Sequence, residues 1–398
     1  MATERPRLRI GFIGLGMAGS GMVRSMYEHP DVSIAAAADR HAGPREAFAR
    51  DFEAEVYEDA EALCESDNVD FVYVATPHQF HKEHVIMAAE HGKHVIVEKP
   101  LSLTLEDCDA IIEAVDRTGA KVIVGHTHSY DPAIRVMRQM IASGDYGKLG
   151  MINTWNYTNF LYRPRRPEEL DTSLGGGILF NQVPHQVDSV RLLGGGLVKS
   201  VRSATGVWDP ARPTEGSHLT FLQFEDGAAA SMVYSGYDHF STDEFNGWIG
   251  EGGGASAPDS HGRARRSLAG VGRDEEISLR TSVYAYKGLG DRTASGPQNQ
   301  PRFGVMVVSC EGGDLRPTEN GVAVYTSEGM SEVEIPAGRG VPGRGDVMDE
   351  LYNAVVNDAP LVHDVRWGKA TLEVCLAILE SSRTRQEVVL SHQVGLTA

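Results

Sequence analysis

The first third of the chain alternates short apolar runs with longer amphipathic runs. Few charges interrupt the apolar runs, which are RLRIGFIG, SIAAAAD, DFVYVAT, KHVIVEK and AKVIVG. Such runs are typical of parallel β-strands that helices cover on both faces. The segment LEDCDAIIEAVDRTG between two of them repeats its apolar residues at helical spacing and ends on Gly119, the expected C-cap. The pattern predicts an α/β fold that begins with a doubly wound parallel sheet.

After residue 125 the pattern becomes that of an α+β domain. The helical segment PAIRVMRQMIASG precedes strand-like runs, which are GMINTWNYTNF, VKSVRSATGVW and HLTFLQFEDGAAASMVYSGY. Two segments rich in Gly and polar residues, 250–262 and 290–302, predict long surface loops. We therefore expect two domains, residues 1–126 with the parallel sheet and residues 127–398 with a mostly antiparallel sheet.

Length, composition and charge agree with this division. A chain of 398 residues exceeds the usual size of one hydrophobic core, and 41% hydrophobic residues suffice to fill two. The formal net charge of −18 makes the overall field repel nucleic acid and anionic membranes, so neither is an expected partner. An anionic ligand would need a local group of cations.

The chain shows no sign of export, membrane insertion or metal binding. No run approaches the roughly 18 apolar residues that cross a membrane, and the start lacks the apolar core of a signal peptide. The four cysteines lie far apart without a CxxC pair, which favours a reducing cytoplasm. His78, His81 and His84 recur every three residues, but no cysteine or carboxylate pattern converges with them, so no metal is expected.

The stretch GFIGLGMAGSGMV places Gly14, Gly16 and Gly19 between the first strand and a helix. An ordinary turn is the alternative, but a strand, a GxGxxG pattern and a helix in this order predict a Rossmann-type dinucleotide site. The expected contacts to the cofactor come from Gly14, Gly16, Met17 and Ala18.

The residue expected to select the cofactor is Asp39, which follows the second strand 20 residues beyond Gly19. Its carboxylate would accept hydrogen bonds from a ribose diol and repel a 2′-phosphate, which favours NAD. NADP stays open as an alternative, because the adjacent Arg40 would stack on adenine or offset that repulsion.

Two further stretches carry candidate chemistry. In GKHVIVEKPL, Lys99 ends the predicted strand KHVIVEK, and ligands of doubly wound sheets bind beyond such strand ends. In GGGILFNQVPHQVD, three glycines precede a helix whose Asn181, His185 and Asp188 form one polar stripe. The alternatives are a surface lysine and a buried, hydrogen-bonded histidine.

Together, GLGMAG, TPHQFHKEHV, GKHVIVEKP and GGGILFNQVPHQVD resemble the successive signatures of the Gfo/Idh/MocA oxidoreductases. The resemblance implies a Rossmann domain, a second domain with an open-faced sheet, and Lys99 and His185 at the reacting carbon. It also implies cofactor contacts from the residues of its middle motifs, Thr76, Pro77, His81, Glu98 and Lys99. An exposed apolar sheet face predicts a homodimer or homotetramer.

One position departs from the family pattern. Many members carry an aspartate where this chain has Asn181, and an amide cannot take up a proton. His185 is therefore the expected general base, with Lys99 stabilising negative charge on the substrate oxygen.

Within the family, NYTNFLYRPRRPEELDTSLGGG is similar to phthalate cis-4,5-dihydrodiol dehydrogenases. Its arginines would bind a small anionic substrate, since guanidinium groups pair with carboxylates through two hydrogen bonds. The alternative is a solvated loop whose arginines pair with Glu168 and Glu169. The expected substrate-binding residues are Arg163, Arg165, Arg166, Asn181, His126, His128 and Tyr157.

The sequence thus predicts an NAD-dependent dehydrogenase that oxidises a cyclic carboxylated cis-dihydrodiol to a catechol, in the degradation of aromatic compounds. Two alternatives stay open. A sugar or inositol dehydrogenase would have the same fold and no use for an arginine group, and a non-catalytic nicotinamide sensor would need neither Lys99 nor His185.

Overall fold

The computed structural model describes residues 6–125, 127–290, 299–336 and 343–396, and two sheets organise them. The strands of the first sheet are β1 (Leu8–Ile13), β2 (Val32–Ala38), β3 (Glu55–Tyr57), β4 (Phe71–Val74), β5 (His94–Val97) and β6 (Val122–Val124). The helices between them are α1 (Met17–Tyr27), α2 (Ala42–Phe52), α3 (Ala60–Glu65), α4 (His81–Glu90) and α5 (Leu105–Thr118).

The strands of this sheet run parallel in the order β3-β2-β1-β4-β5-β6, which confirms the doubly wound sheet. Its strand order reverses between β1 and β4, and ligands of such sheets bind in the crevice at that point. Helix α5 ends as predicted, with Gly119 in the left-handed region at φ +72°. Strand β3 was not predicted, since its three residues are partly or fully exposed and show no apolar run.

The second sheet and its helices occupy the rest of the chain. The strands are β7 (Leu149–Tyr157), β8 (Val198–Gly206), β9 (Ser217–Phe224), β10 (Ala229–Ser235), β11 (Val305–Cys310), β12 (Gly313–Pro317), β13 (Gly321–Thr326), β14 (Gly329–Glu334) and β15 (Val388–Val389). The helices are α6 (Pro132–Ser143), α7 (Ile178–Asn181), α8 (Val183–Leu193), α9 (Arg263–Leu268), α10 (Arg273–Tyr284), α11 (Arg344–Val356) and α12 (Val365–Thr384).

These strands follow the order β14-β13-β12-β11-β7-β10-β9-β8-β15, and every neighbouring pair is antiparallel except β7 and β10. The prediction of a mostly antiparallel second sheet is confirmed. Helices α9 and α10 were not predicted. They lie between the two segments that we expected to be loops, and residues 291–298 of the second segment are outside the described residues.

One face of the second sheet is covered by helices and the other is open. On β7, Ile152 and Thr154 are buried, whereas Met151 and Trp155 of the opposite face are each 50% exposed. Leu219 and Phe221 on β9 are 63% and 50% exposed. The register of the strands brings these side chains to one face, because β10 pairs with both β7 and β9.

The C-terminal helices tie the two sheets together. Val347, Met348 and Leu351 of α11 share a buried core with Ile10 and Phe12 of β1. Helix α12 packs against β8 of the second sheet and against α5 and β6 of the first. The strands of the first sheet all precede residue 126, but the domain boundary stays a prediction. Among the described helices, none combines the length and the apolar character needed to span a membrane.

Candidate active site

The three motif glycines differ in what surrounds them. A Cβ on Gly14 would lie 2.8 Å from the Ala75 carbonyl oxygen, and the residue has a φ of +95°. A Cβ on Gly19 would lie 2.1 Å from the Gly14 carbonyl oxygen, so the packing of helix on strand requires both glycines. By contrast, a Cβ on Gly16 would meet no atom within 4 Å. Gly16 is the N-cap of α1 and leaves open space in front of the first-turn N–H groups, which fits a phosphate.

Asp39 lies beside this loop, directly after β2. Its carboxylate accepts hydrogen bonds from the backbone N–H of Leu15 at 2.8 Å and of His41 at 2.9 Å. A carboxylate has about four acceptor positions, so it keeps capacity for the two hydroxyls of a ribose. The Arg40 side chain is exposed, and its Nε donates to His41 at 3.3 Å. Met17 is 46% exposed at the start of α1, next to Ala18. These residues fit a dinucleotide.

The segment after β4 is held by two histidines. The Thr76 hydroxyl lies 2.9 Å from Nδ1 of His84, and Pro77 follows it. The buried His81 ring spans the Thr76 and Pro100 carbonyl oxygens, at 3.0 and 2.8 Å. Burial lowers the pKa of His81 to about 4, so the imidazole is neutral and donates to one carbonyl at a time. We infer that His81 affects the cofactor site by positioning the strand ends that it joins.

Lys99 reaches from the first half of the molecule to the second. Its Nζ donates to the Asn181 carbonyl oxygen at 2.7 Å, and burial lowers the pKa of Lys99, against the opposing effect of the Glu98 carboxylate. Glu98 itself accepts a hydrogen bond from the Tyr73 hydroxyl. The lysine is therefore not a solvated surface residue, and it links the end of β5 to the end of α7.

The predicted single helix over the third motif is interrupted. Helix α7 ends at Asn181 and α8 begins at Val183, because Pro184 has no N–H to donate to the carbonyl of Phe180. The Asn181 amide donates back to the carbonyls of Gly175 at 3.2 Å and Gly177 at 2.8 Å. Thus Asn181 and His185 belong to different helical segments, which corrects the prediction of one stripe.

The third member of that stripe is part of the core. Asp188 is buried and accepts hydrogen bonds from the Trp367 indole at 2.5 Å, from the Thr371 hydroxyl at 3.2 Å, and from Thr127 and Ser129. A carboxylate with these partners holds α8 against α12 and is not directed at a ligand.

Two histidines from different elements meet where α8 begins. The ring centroids of His128 and His185 lie 5.0 Å apart, and Phe303 stacks on His128 at 4.4 Å. Nδ1 of His128 lies 2.7 Å from an Asp131 carboxylate oxygen. Burial alone would lower the pKa of His128, but the Asp131 carboxylate outweighs it and the net shift is upward. The other predicted pocket histidine, His126, lies outside the described residues.

The three predicted arginines have protein partners. Arg163 donates from Nε to Asn159 at 2.9 Å and lies 3.5 Å from Glu251. Arg165 is buried, with its guanidinium 3.8 Å from the Phe160 ring centroid.

Arg165 and Arg166 share one acidic partner, Glu169. Nη1 of Arg165 lies 3.5 Å from Glu169, and Nε of Arg166 lies 3.3 Å from it. Glu169 also binds Arg280 of α10 through Nε at 2.9 Å and Nη2 at 2.7 Å. These contacts agree with the alternative interpretation, in which the arginines pair with nearby acidic residues. The Arg280 contact also attaches α10 to this loop. A role in substrate binding stays a prediction.

Sequence reasoning missed three side chains near the imidazole pair. Phe303 contacts both rings, Arg302 lines a cavity with His128, and Glu251 lies 3.5 Å from Arg163. All three come from segments without periodicity, so no local signal distinguished them. The predicted Tyr157 is half-buried, with its ring centroid 5.7 Å from that of Phe240. Within the described part of the chain, no group of three or more His, Cys, Asp or Glu is placed to hold a metal ion.

Comparison with known proteins agrees with this geometry. Residues 8–126 match the GFO/IDH/MocA oxidoreductase family with its NAD-binding Rossmann fold, and residues 134–253 match the GFO/IDH/MocA C-terminal domain. The chain is 40% identical to a 1-carboxy-3-chloro-3,4-dihydroxycyclohexa-1,5-diene dehydrogenase from Comamonas testosteroni, over 94% of this chain and 95% of the relative.

Two further proteins that are similar to this chain help to compare the substrate classes. A crystal structure of a Bordetella bronchiseptica RB50 protein described as a dehydrogenase is 48% identical, with a TM-score of 0.91 over 96% of this chain and 100% of that chain. A scyllo-inositol 2-dehydrogenase (NAD(+)) from Bacillus subtilis is 30% identical over 58% of this chain and 67% of the relative. The similarity to the ring-diol enzyme thus extends over more of the chain.

Proposed function

This chain belongs to the GFO/IDH/MocA oxidoreductase family, and we propose that it oxidises a cyclic cis-dihydrodiol that carries a carboxylate. It is an oxidoreductase with an NAD-binding Rossmann domain. The finer proposal, that the substrate is phthalate 4,5-cis-dihydrodiol and the product 4,5-dihydroxyphthalate, rests on the sequence resemblance of residues 156–177. The ring-diol substrate named for the Comamonas relative supports the broader class.

The observation that carries the proposal is the link between the two halves of the site. Lys99 Nζ, at the carboxyl end of the parallel sheet, hydrogen-bonds to Asn181, one turn before His185. Ligands of this sheet bind at the same end, next to the glycine loop. An ammonium and an imidazole near one carbinol are the groups that the removal of a hydroxyl proton requires.

The roles of the side chains follow from their chemistry. NAD, when bound, accepts the hydride from the carbinol carbon. His185 accepts the proton of that hydroxyl as the C–H bond breaks, and Lys99 stabilises the negative charge that develops on the oxygen. The Asn181 amide donates to the glycine segment and orients the helix end, and it cannot act as an acid or a base in the reaction. The ketone formed then enolises to a catechol, which makes the overall reaction effectively one-way.

A substrate panel tests the proposal. The purified protein with NAD would be offered phthalate 4,5-cis-dihydrodiol, a benzoate cis-dihydrodiol, an uncarboxylated ring cis-diol and scyllo-inositol, while NADH absorbance is followed. We expect kcat/KM to be highest for a carboxylated ring diol. A preference for scyllo-inositol would refute the proposal in favour of a polyol dehydrogenase, and no hydride transfer to NAD from any substrate would favour a sensor.

A further inference from the structure

An arginine that no motif singled out is buried next to the imidazole pair. Arg302 is 4% exposed and precedes Phe303, the ring that stacks on His128. Its Nη2 donates to the Asn246 side-chain oxygen at 2.8 Å. Its Nη1 is buried and has no hydrogen-bond partner among the described residues. Among the described residues, no carboxylate forms an ion pair with Arg302, and the charges that act on it from farther away, Arg316 and Glu319, oppose each other.

Such an arrangement is costly unless a ligand completes it. A guanidinium remains charged in a protein, and a buried charge without a partner loses hydration that nothing replaces. Two other buried arginines among the described residues have partners that compensate their charge. Arg212 pairs with Glu276 at 2.6 Å, and Arg191 donates to Gln393, Thr371 and two backbone carbonyls. Arg302 is thus short of acceptors in a way that these two are not.

A small cavity borders both this guanidinium and His128, one of the two imidazoles of the candidate active site. Its lining includes Arg302, Phe303, His128, Asp131 and Gln186, and its internal volume is about 20 Å³, room for about one small polar group. Gln186 is already bonded to His218 and Thr154. Asp131 is paired with His128 through one carboxylate oxygen, and its other oxygen, Oδ1, is buried without a hydrogen-bond partner among the described residues. The lining thus holds one unsatisfied donor, from Arg302, and one unsatisfied acceptor.

We propose that Arg302 is the carboxylate subsite of the active centre, binding the ring carboxylate of the substrate through Nη1 while the ring lies beside His128 and His185. This inference rests on the proposed function. Guanidinium groups suit the purpose, because they present parallel donors to a carboxylate. Arg163, one of the arginines that the sequence suggested for this role, contacts Asn159 and Glu251.

The test measures binding without turnover. Isothermal titration of the NADH-loaded protein would compare 3,4-dihydroxybenzoate with catechol, which differ only in the carboxylate. Arg302→Met is expected to weaken the binding of 3,4-dihydroxybenzoate by about 10- to 100-fold, the range for a hydrogen bond to a charged group. The dissociation constant of catechol should not change. Arg383→Met is the matched control, because Arg383 is an exposed arginine of α12 that pairs with Glu380, and it should preserve the ratio of the two dissociation constants.

Each outcome decides the question. The inference would be overturned by an unchanged ratio of dissociation constants in Arg302→Met, by a changed ratio in Arg383→Met, or by a wild type that does not prefer the carboxylated probe. If Arg302→Met does not fold, Arg302→Lys keeps the charge without the fork and should lose part of the preference. The two proposals can also fail separately. If the protein oxidises no carboxylated ring diol but Arg302→Met still changes the ratio of the two dissociation constants, the proposed function is refuted and the anion subsite is supported.

Discussion

The substitution Gly16→Ala separates cofactor binding from folding. A methyl group at this position meets no protein atom within 4 Å, and the backbone, at φ −73° and ψ −159°, is open to alanine. The folded state should therefore tolerate it. The methyl group would occupy the space in front of the α1 N–H groups, where a pyrophosphate binds.

The size of the effect follows from the contacts that the methyl group blocks. A hydrogen bond to a charged group contributes about 1.5–3 kcal/mol, so loss of one such bond raises Kd for NAD by about 10- to 100-fold. Titration calorimetry with NAD gives Kd, and thermal unfolding without NAD gives stability. Unchanged NAD affinity in a folded Gly16→Ala protein would refute the placement of the pyrophosphate.

Two matched alanine variants complete the experiment. Gly43→Ala in α2 also meets no atom within 4 Å but lies outside the motif, so NAD affinity should not change. Gly19→Ala puts a Cβ 2.1 Å from a backbone oxygen, and overpacking of this kind costs about 1–3 kcal/mol of unfolding free energy or more. We expect Gly19→Ala to lower Tm clearly and Gly16→Ala to leave it nearly unchanged.

The remaining predictions concern the general base His185, the loss of folding stability at acid pH, and the assembly of subunits. His185→Gln should lower kcat by about 10²–10⁴ without loss of NAD affinity, and unchanged kcat would exclude His185 as the base. Burial would raise the pKa of Glu169, but Arg280 and its neighbours lower it from 4.5 to about 2, so its stabilisation is complete above pH 4.5 and is lost as the pH falls towards 2. Glu169→Gln should lower the free energy of unfolding by about 3 kcal/mol at neutral pH. In urea titrations the stability of this variant should fall less steeply between pH 4.5 and pH 2 than that of the wild type, and an unaltered pH profile would contradict this. Trp155→Glu, on the open sheet face, should shift a homo-oligomer towards monomer in light scattering, whereas the exposed Phe245→Glu should not, and a monomeric wild type would refute the assembly.

The local elements were predictable because they depend on neighbouring residues. Apolar runs bounded by turn residues located five strands of the first sheet, and Gly119 ended α5 as expected. Where a short-range signal was weak, as in β3, or was interrupted by Pro184, the prediction failed. The arginine-rich loop was visible in the sequence, but its partner Arg280 lies 111 residues from Glu169.

By itself, the sequence determined the parallel sheet, the glycine loop with Asp39, and the residue types of the candidate chemistry. Those features follow from steric and periodic constraints that act within a few residues. Only the tertiary structure decided which charges are compensated and which imidazoles meet, because Lys99 with Asn181 and His128 with His185 come from separate segments. Burial and pairing are properties of the packed chain, so a lone cation such as Arg302 has no signature in the sequence around it.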